Sequence, residues 1–469
     1  MPAFFLLIPL AGVILQNLLS RRHGEKAAPW ISGVICALLM ALAITPSMPL
    51  WQSLIGKVDL PFGYTMAVDF MGSAALFTIA LVALMAVVLN NGHDSLNFAN
   101  LTLMAVMGMS GIVLVRDLFS AYIFLELTAV SSFILISMKK ERDGFEGAFQ
   151  YLVLSAVATI LMLTAMALIF LTIGKLDYAS LAQYLSGHTG TMRLAMKAAV
   201  ILLASGFAVK AGLVPFHGWV PGAYSAAPPA VSVLLAGIVT KAGGVYLILR
   251  MMKDVLGGAG LGMPFMVLGA VSIVVGALAA IGQKDMKRML AWSSVSQVGY
   301  IVLGAGLGTP LALFGALLHF FNHAVFKSLL FVNAAAVEAQ AGTRDMDQLG
   351  GLANNMKITG GTSVVGFLST AGVPPLSGFW SKLFIIMALM QAGQVAFAAV
   401  ALLASVITLG YFLILQRKVF FGKLKEGLEN IREGGANYTV PALILAGITV
   451  AAGILMPFLL GWFQSMKLF

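Results

Sequence analysis

The sequence predicts an all-α polytopic membrane protein with about fourteen transmembrane helices. Three observations predict it. Of 469 residues, 60% are hydrophobic and only 10% charged, where a soluble domain carries about a quarter charged residues. Mean hydropathy is +0.97. Lysine and arginine gather in alternate loops, as cytoplasmic connections require.

A bilayer core roughly 30 Å thick needs about 20 apolar residues per helix. Runs of that kind, bounded by charge, glycine or proline, centre on residues 3–20, 30–46, 68–89, 98–115, 118–138, 148–173, 194–214, 227–249, 261–281, 289–307, 311–338, 359–390, 397–416 and 440–464. No basic residue precedes Ala3, whereas Arg21, Arg22 and Lys26 follow the first run. That polarity is the reverse of a cleavable signal's, so the run is expected to be a retained helix. The odd-numbered loops hold Arg21, Arg22, Lys26, Lys139, Lys140, Arg142, Lys284, Lys287, Arg288, Arg344, Lys357, Arg417, Lys418, Lys423, Lys425 and Arg432, more than half of the 28 basic residues. An even helix count then puts both termini outside the cytoplasm, in what we expect to be a prokaryotic inner or plasma membrane.

The longest polar stretches, residues 46–66, 174–193, 339–357 and 417–438, are connections of about 20 residues. The whole chain, 1–469, therefore reads as a single integral membrane domain. The net charge of +10 serves topology or transport, since no soluble surface exists to meet a nucleic acid. Cys36 is the one cysteine and lies in an apolar run. Disulfides, Cys-ligated zinc and a Cys-bound iron–sulfur cluster within the chain are excluded, and no cofactor is expected.

Two spans contain breakers near membrane depth. In the seventh, Ala208 to Leu213 runs into Val214-Pro215-Phe216-His217 and Pro221; in the twelfth, Gly372-Val373-Pro374-Pro375 splits an apolar stretch that resumes at Phe379. Proline frees helix carbonyls, which lipid tolerates only where the site is buried in protein or lines a hydrated cavity. The breaks are five helices apart, which suggests two five-helix repeats, spans 4–8 (98–250) and 9–13 (261–420), flanked by spans 1–3 (1–97) and a last span (440–464). An odd-numbered repeat must be inverted, and inverted repeats with discontinuous helices mark transporters. Two unrelated proline kinks are the alternative.

Charges at membrane depth are expected to carry the chemistry. Glu126 sits about nine residues into the fifth span, roughly 13 Å deep at 1.5 Å per residue. Lys210, Lys241, Lys327 and Lys382 share its depth. Each such charge costs at least ~2.5–3.5 kcal/mol on insertion scales, so each is expected to be paired, hydrated or shifted in pKa. A static ion pair joining two helices is the alternative for Glu126 and Lys210. His319, His323 and Lys327 recur every four residues and so share one helix face. Two histidines at that spacing can chelate zinc, but no acid or cysteine lies near in sequence and the lysine one turn on would repel a cation. Histidines titrating near neutral pH suit proton carriers instead; satisfied buried histidines are the bland alternative. In helix 10, Ser293, Ser294 and Gln297 stand where helix 5 has Glu126.

Several strings occur together: Lys210-Ala-Gly-Leu-Val-Pro215-Phe-His217-Gly-Trp219-Val-Pro221, Pro228-Pro229 leading to Lys241, Asp285-Met-Lys287-Arg288-Met-Leu-Ala-Trp-Ser-Ser294, His319 to Lys327, and Gly372-Val-Pro-Pro-Leu-Ser-Gly-Phe-Trp-Ser-Lys382. From about residue 60 to 420 the chain resembles the antiporter-like, proton-conducting subunits shared by respiratory complex I, membrane-bound hydrogenases and Mrp-type cation/proton antiporters. The resemblance implies a fourteen-helix fold with two inverted bundles and a hydrated polar axis. By motif, Glu126 resembles the family's fifth-helix glutamate, Lys210 its partner in the broken seventh helix, Lys241 the central lysine of the eighth, His319 and His323 the connecting group of the eleventh, and Lys382 the terminal residue of the twelfth. His217 is expected at a pathway mouth or as a helix-end cap.

Gly222 stands where many complex I relatives have an acid, and Tyr224 with Ala226-Ala227-Pro228-Pro229 looks more like the Mrp and hydrogenase branches. The terminal residue is lysine where some relatives have glutamate, and the lack of a long lateral helix resembles a middle-type subunit. The implied role is a proton-translocating subunit of a respiratory or hydrogenase-type redox complex, or alternatively of a multi-subunit Na⁺/H⁺ exchanger, with other integral membrane subunits, H⁺ and the lipid bilayer as partners. Quinone reduction by the chain itself would need a nucleotide fingerprint, metal-ligand cluster or cysteine that the sequence lacks.

Overall fold

The computed structural model describes residues 2–23, 27–44, 57–59, 65–90, 95–188, 191–257 and 259–465. Lys26, one of the charges used to sort the loops, lies outside these residues. In chain order the elements are α1 (Phe4–His23), α2 (Ala27–Ile44), β1 (Lys57–Asp59), β2 (Thr65–Ala67), α3 (Phe70–Leu89), α4 (Ser95–Leu114), α5 (Leu118–Ile136), α6 (Arg142–Ile173), the short α7 (Tyr178–Gly187), α8 (Leu194–Ala211), α9 (Trp219–Ala226) and α10 (Pro229–Asp254). They continue with α11 (Gly262–Ile281), α12 (Met286–Leu307), α13 (Pro310–Ala341), α14 (Lys357–Ala371), α15 (Ser377–Gln391), α16 (Val395–Gln416) and α17 (Ala436–Ser465).

Among the described residues, twelve helices are long and apolar enough to cross a membrane. Helices lie over the predicted apolar runs among these residues, but α1 and the twelfth run are not among the twelve. Observed helices outrun the hydropathy where a polar turn still satisfies helix bonding: α6 begins at Arg142, with Asp143 in its first turn, where an acid favours the positive end of the helix dipole. The twelfth predicted span is two helices, α14 and α15, because neither Pro374 nor Pro375 can donate a backbone hydrogen bond.

The chain forms two compact units, Met1–Gly212 with Ile238–Gly262, and Leu213–Gly237 with Met263–Phe469. In both, side chains sort as lipid demands. Large apolar side chains such as Leu171 and Leu194 face outward, while Lys210, Lys241, Lys327 and Lys382 are buried. The first unit carries the β1–β2 hairpin, paired antiparallel with Val58 opposite Met66. Its helix ends are satisfied by side chains. Asp69 caps α3 by accepting from the Gly72 amide at 2.8 Å, and Arg116 donates to the carbonyls of Val113, Leu114 and Val115 at the end of α4. Gln16, Ser32 and Asn100 link α1, α2 and α4 through hydrogen bonds of 2.5–3.0 Å, the polar glue available to helices in lipid.

One arrangement occurs in each unit. In the first, Leu118 donates to Leu176 and Tyr178 to Arg116, both at 3.0 Å, and Asp117 caps α5. In the second, Met286 donates to Arg344 at 2.9 Å and Met346 to Lys284 at 2.8 Å, and Asp285 caps α12. The bridged aspartates, Asp117 with Asp177 and Asp285 with Asp345, are equally spaced along the chain. Between them α6 and α13 are each 32 residues long and end on left-handed glycines, Gly174 and Gly342.

The sequence places Asp69 only near a membrane surface; the structure gives it a buried partner. Arg250 of α10, 2% exposed, grips its carboxylate with two bonds of 2.6 and 2.7 Å and also pairs with Asp254. Burial pushes the Asp69 carboxyl up, but the Arg250 guanidinium and the Gly72 amide outweigh it and hold the group well below the usual carboxylate range. Because the folded group titrates lower than the unfolded one, its stabilisation is complete above about pH 4 and is lost as the pH falls through the folded value. Asp69→Asn is expected to lower the thermal midpoint of the detergent-solubilised protein at neutral pH, with the gap to wild type closing below about pH 4; equal midpoints at pH 7 would contradict the assignment.

Candidate functional site

Glu126 lies midway along α5 and Lys210 in the last turn of α8. The helix stops there because Gly212 takes φ 66°, a conformation glycine adopts without cost, and because Pro215, four residues after Ala211, has no amide to offer that residue's carbonyl. Lys210 Nζ stands 3.2 Å from Glu126 Oε1 and donates to Ser155 Oγ at 2.5 Å. Thr159, one turn from Ser155 on α6, donates to the same carboxylate oxygen at 2.6 Å. A hydroxyl thus braces each partner. The lysine side chain is 4% exposed and the glutamate side chain 31%, so the base is sealed while the acid's side chain reaches the surface of the chain.

Lys241 is fully buried on α10, where it opens the second of two π turns, Leu235–Val239 and Lys241–Val245. Such wide turns recur at functional sites because they displace side chains from the regular helix surface. Gly244 brings this helix against the end of α8: a Cβ there would lie within 2.6 Å of the backbone carbonyl carbon of Lys210. The first unit therefore holds Glu126, Lys210 and Lys241 on three neighbouring elements.

The second unit holds the remaining predicted groups. On α13 the His319 and His323 rings are parallel, with centroids 6.2 Å apart. His319 Nδ1 lies 2.8 Å from Ser381 Oγ, and Asn322 donates to the Ser377 carbonyl. Lys327 donates to Ser293 Oγ and, at 3.3 Å, to the Leu290 carbonyl. No group of three or more His, Cys, Asp and Glu side chains able to hold a metal occurs among the described residues.

The second helix break explains where Lys382 points. Gly372 ends α14 at φ 86°. The carbonyls of Thr370 and Ala371 would normally accept from residues 374 and 375, which are both proline. The Lys382 ammonium takes them instead, at 2.8 and 3.4 Å, together with Ser405 Oγ at 3.3 Å. It also lies 4.5 Å from the centroid of the Tyr300 ring, whose hydroxyl is bonded to the Ala401 carbonyl and Ser405. His217 falls in this unit, in a short 3₁₀ turn with its ring 5.1 Å from Trp292.

The sequence singles out Glu126, Lys210, Lys241, Lys327 and Lys382 and sets Ser293 opposite Glu126, but gives no place to Arg250, Ser155, Thr159, Tyr300 or Ser405. Ser155 and Thr159 did carry a signal, two hydroxyl residues at helical spacing in an apolar run. Lys287, sorted among the loop charges, is 1% exposed and pairs with Glu338 at 2.5 Å.

The pattern described as NADH:quinone oxidoreductase/Mrp antiporter, TM, matches residues 115–408. NADH-quinone oxidoreductase subunit N of Desulforudis audaxviator is 32% identical over 432 residues, 88% of this chain and 85% of its own length. A Na(+)/H(+) antiporter subunit of Alkalihalophilus pseudofirmus is 28% identical over 460 residues, 96% of this chain and 92% of its own. A chain of the Mrp complex from a Dietzia species superposes with a TM-score of 0.89 at 25% identity, covering 100% of this chain and 95% of that one. A chain of respiratory complex I from Thermus thermophilus gives 0.79 at 25% identity, covering 97% and 98%.

Gly244→Ala is expected to cost about 1–3 kcal/mol by forcing two backbones apart. Gly243→Ala is the control, since its Cβ would meet only Leu125 Cδ2 at an ordinary 3.4 Å. Denaturation midpoints in detergent check the difference; equal loss in both variants would contradict the close approach.

Proposed function

We propose that this chain, which belongs to the NADH:quinone oxidoreductase/Mrp antiporter transmembrane family, is a proton-translocating antiporter-like subunit of a membrane-bound respiratory or hydrogenase-type redox complex. The observation that carries the reading is the Glu126–Lys210 couple, a sealed lysine against an acid that opens to the protein surface at membrane depth. At 3.2 Å the gross attraction is on the order of 5 kcal/mol at an effective dielectric of ~20. Moving one charge against 100 mV needs about 2.3 kcal/mol, so making and breaking this pair is large enough to drive a proton.

While Glu126 faces Lys210, the lysine keeps its proton. When contact with a neighbouring membrane protein pulls the half-buried glutamate away, Lys210 is left with the Ser155 hydroxyl and no counter-charge, and gives its proton up toward Lys241. In the second unit His323, His319 and Lys327 pass a proton to Lys382, which releases it to one side. The two bridged helix pairs, the equal lengths of α6 and α13 and the matching breaks after Gly212 and Gly372 support two inverted five-helix repeats within one membrane domain. Adding α1 and the interrupted α14–α15 to the twelve long helices makes fourteen spans, with both termini outside the cytoplasm by the sorting of basic loops.

A second reading is a subunit of a multi-subunit Mrp-type Na⁺/H⁺ antiporter. It is favoured by the full-length superposition on the Mrp chain. Copurification from the native membrane separates the two: iron–sulfur or hydrogenase subunits favour the redox complex, small membrane subunits alone the exchanger.

Glu126→Gln and Lys210→Ala, in a normally assembled complex reconstituted into proteoliposomes, are each expected to slow proton translocation at least ten-fold, read with a pH-sensitive dye. Wild-type rates in both would sink the proposal.

A further inference from the structure

We infer that Lys287 and Glu338 form a proton-uptake gate at the loop end of the second unit, through which Lys327 exchanges protons with the aqueous phase. The gate rests on the proton-carrying reading above. Lys287 Nζ lies 2.5 Å from Glu338 Oε2; the lysine side chain is 1% exposed and the glutamate 25%. The acid therefore meets the outside and the base points into the protein, the order an uptake site requires.

The seam between α12 and α13 leads from this pair to Lys327. One turn inward from Lys287 is the Leu290 carbonyl and nearly two turns inward the Ser293 hydroxyl, both of which accept from the Lys327 ammonium. On α13, Lys327 and Glu338 are eleven residues apart, about three turns, so both lie on the face toward α12. From Lys287 to Ser293 the helix rises about 9 Å, a gap that a lysine arm and a bridging water close.

The neighbouring acids are already engaged. Asp285 pairs with Arg344 at 2.6 Å and caps α12; Asp347 is held by Lys418 at 2.5 Å and Lys284 at 3.6 Å. Arg288 extends the basic run beside them. Glu338 is the acid left to face Lys287.

The helix pair does not need this ion pair to fold. Counted from the capping aspartates, Phe119 and Phe170 of the first unit occupy the positions of Lys287 and Glu338, and both are exposed apolar side chains. A buried ion pair is in general no more stabilising than an apolar replacement, so its presence in one unit calls for another role. In the gate, Glu338 takes a proton from the aqueous side and, once neutral, releases Lys287. The Lys287 ammonium then donates a proton inward to the Lys327 amine, and the resulting Lys287 amine takes the proton from Glu338, restoring the pair.

The test uses the assembled complex in membrane vesicles, driven by whichever electron donor or sodium gradient drives the wild type. Glu338→Gln and Lys287→Met are each expected to slow proton translocation at least ten-fold. The double variant Lys287→Met/Glu338→Gln removes the unpaired charge that either single change leaves behind. A gate stays as slow in the double variant, whereas a static pair recovers the wild-type rate, and that recovery overturns the inference. If a single variant fails to assemble, Glu338→Asp keeps the charge and shortens its reach; about ten-fold slowing with normal assembly is expected, and a wild-type rate overturns the gate. Glu126→Gln run in parallel separates the two ideas. A slow Glu126→Gln beside a fast double variant withdraws the gate alone, and a wild-type rate in Glu126→Gln withdraws the proton-carrying reading with it.

Discussion

A carbonyl without a donor at membrane depth is the constraint on which this structure turns. Pro374 and Pro375 take away the amides that would serve Thr370 and Ala371, and no water from bulk solvent is at hand in hydrocarbon to replace them. An ammonium group is the replacement, since Lys382 donates to both carbonyls. The break thus fixes a charge where none would otherwise be tolerated. At the first break the logic runs in parallel: α8 ends at Gly212, Pro215 offers no amide, and Lys210 sits in the final turn.

From this constraint follows a division of labour between backbone and hydroxyls. Each deep lysine whose contacts are described is held by oxygen atoms: Lys210 by Glu126 and Ser155, Lys327 by Ser293 and Leu290, Lys382 by carbonyls and Ser405. Of these oxygens, the carboxylate is Glu126's. Neutral oxygens orient a lysine without fixing its charge, so its proton can leave without abandoning a buried anion. Where a carboxylate is present, as at Glu126, losing it carries a large electrostatic consequence, and that is where a switch is best placed.

The two units use similar helix pairs for different chemistry. α5–α6 and α12–α13 share capping aspartates, backbone bridges and helix lengths, yet one pair bears a deep acid braced by Thr159 and the other a deep lysine, two histidines and an ion pair near the loops. A scaffold whose ends are fixed by main-chain bonds leaves its interior positions free to differ. This is why the two helix pairs match in their lengths and bridged ends and not in the identity of their charged residues.

The sequence by itself determined the class, the helices and the deep charges. Their signals are local: an apolar run long enough to cross lipid, a proline that cannot donate, a lysine or glutamate out of place by several kcal/mol. Those same rules located Glu126, Lys210, Lys241, Lys327 and Lys382, and spacing put His319 and His323 on one face. Only tertiary structure decided what each charge touches. Ser155 and Thr159 look like ordinary helix residues until α6 lies against α5 and α8, and Lys287 reads as a loop charge until α13 supplies Glu338. Asp69 and Arg250 are far apart in sequence and meet across two helices. Burial has a cost that each residue carries alone and that a sequence displays; relief of that cost depends on a second residue, whose position only the packed helices set.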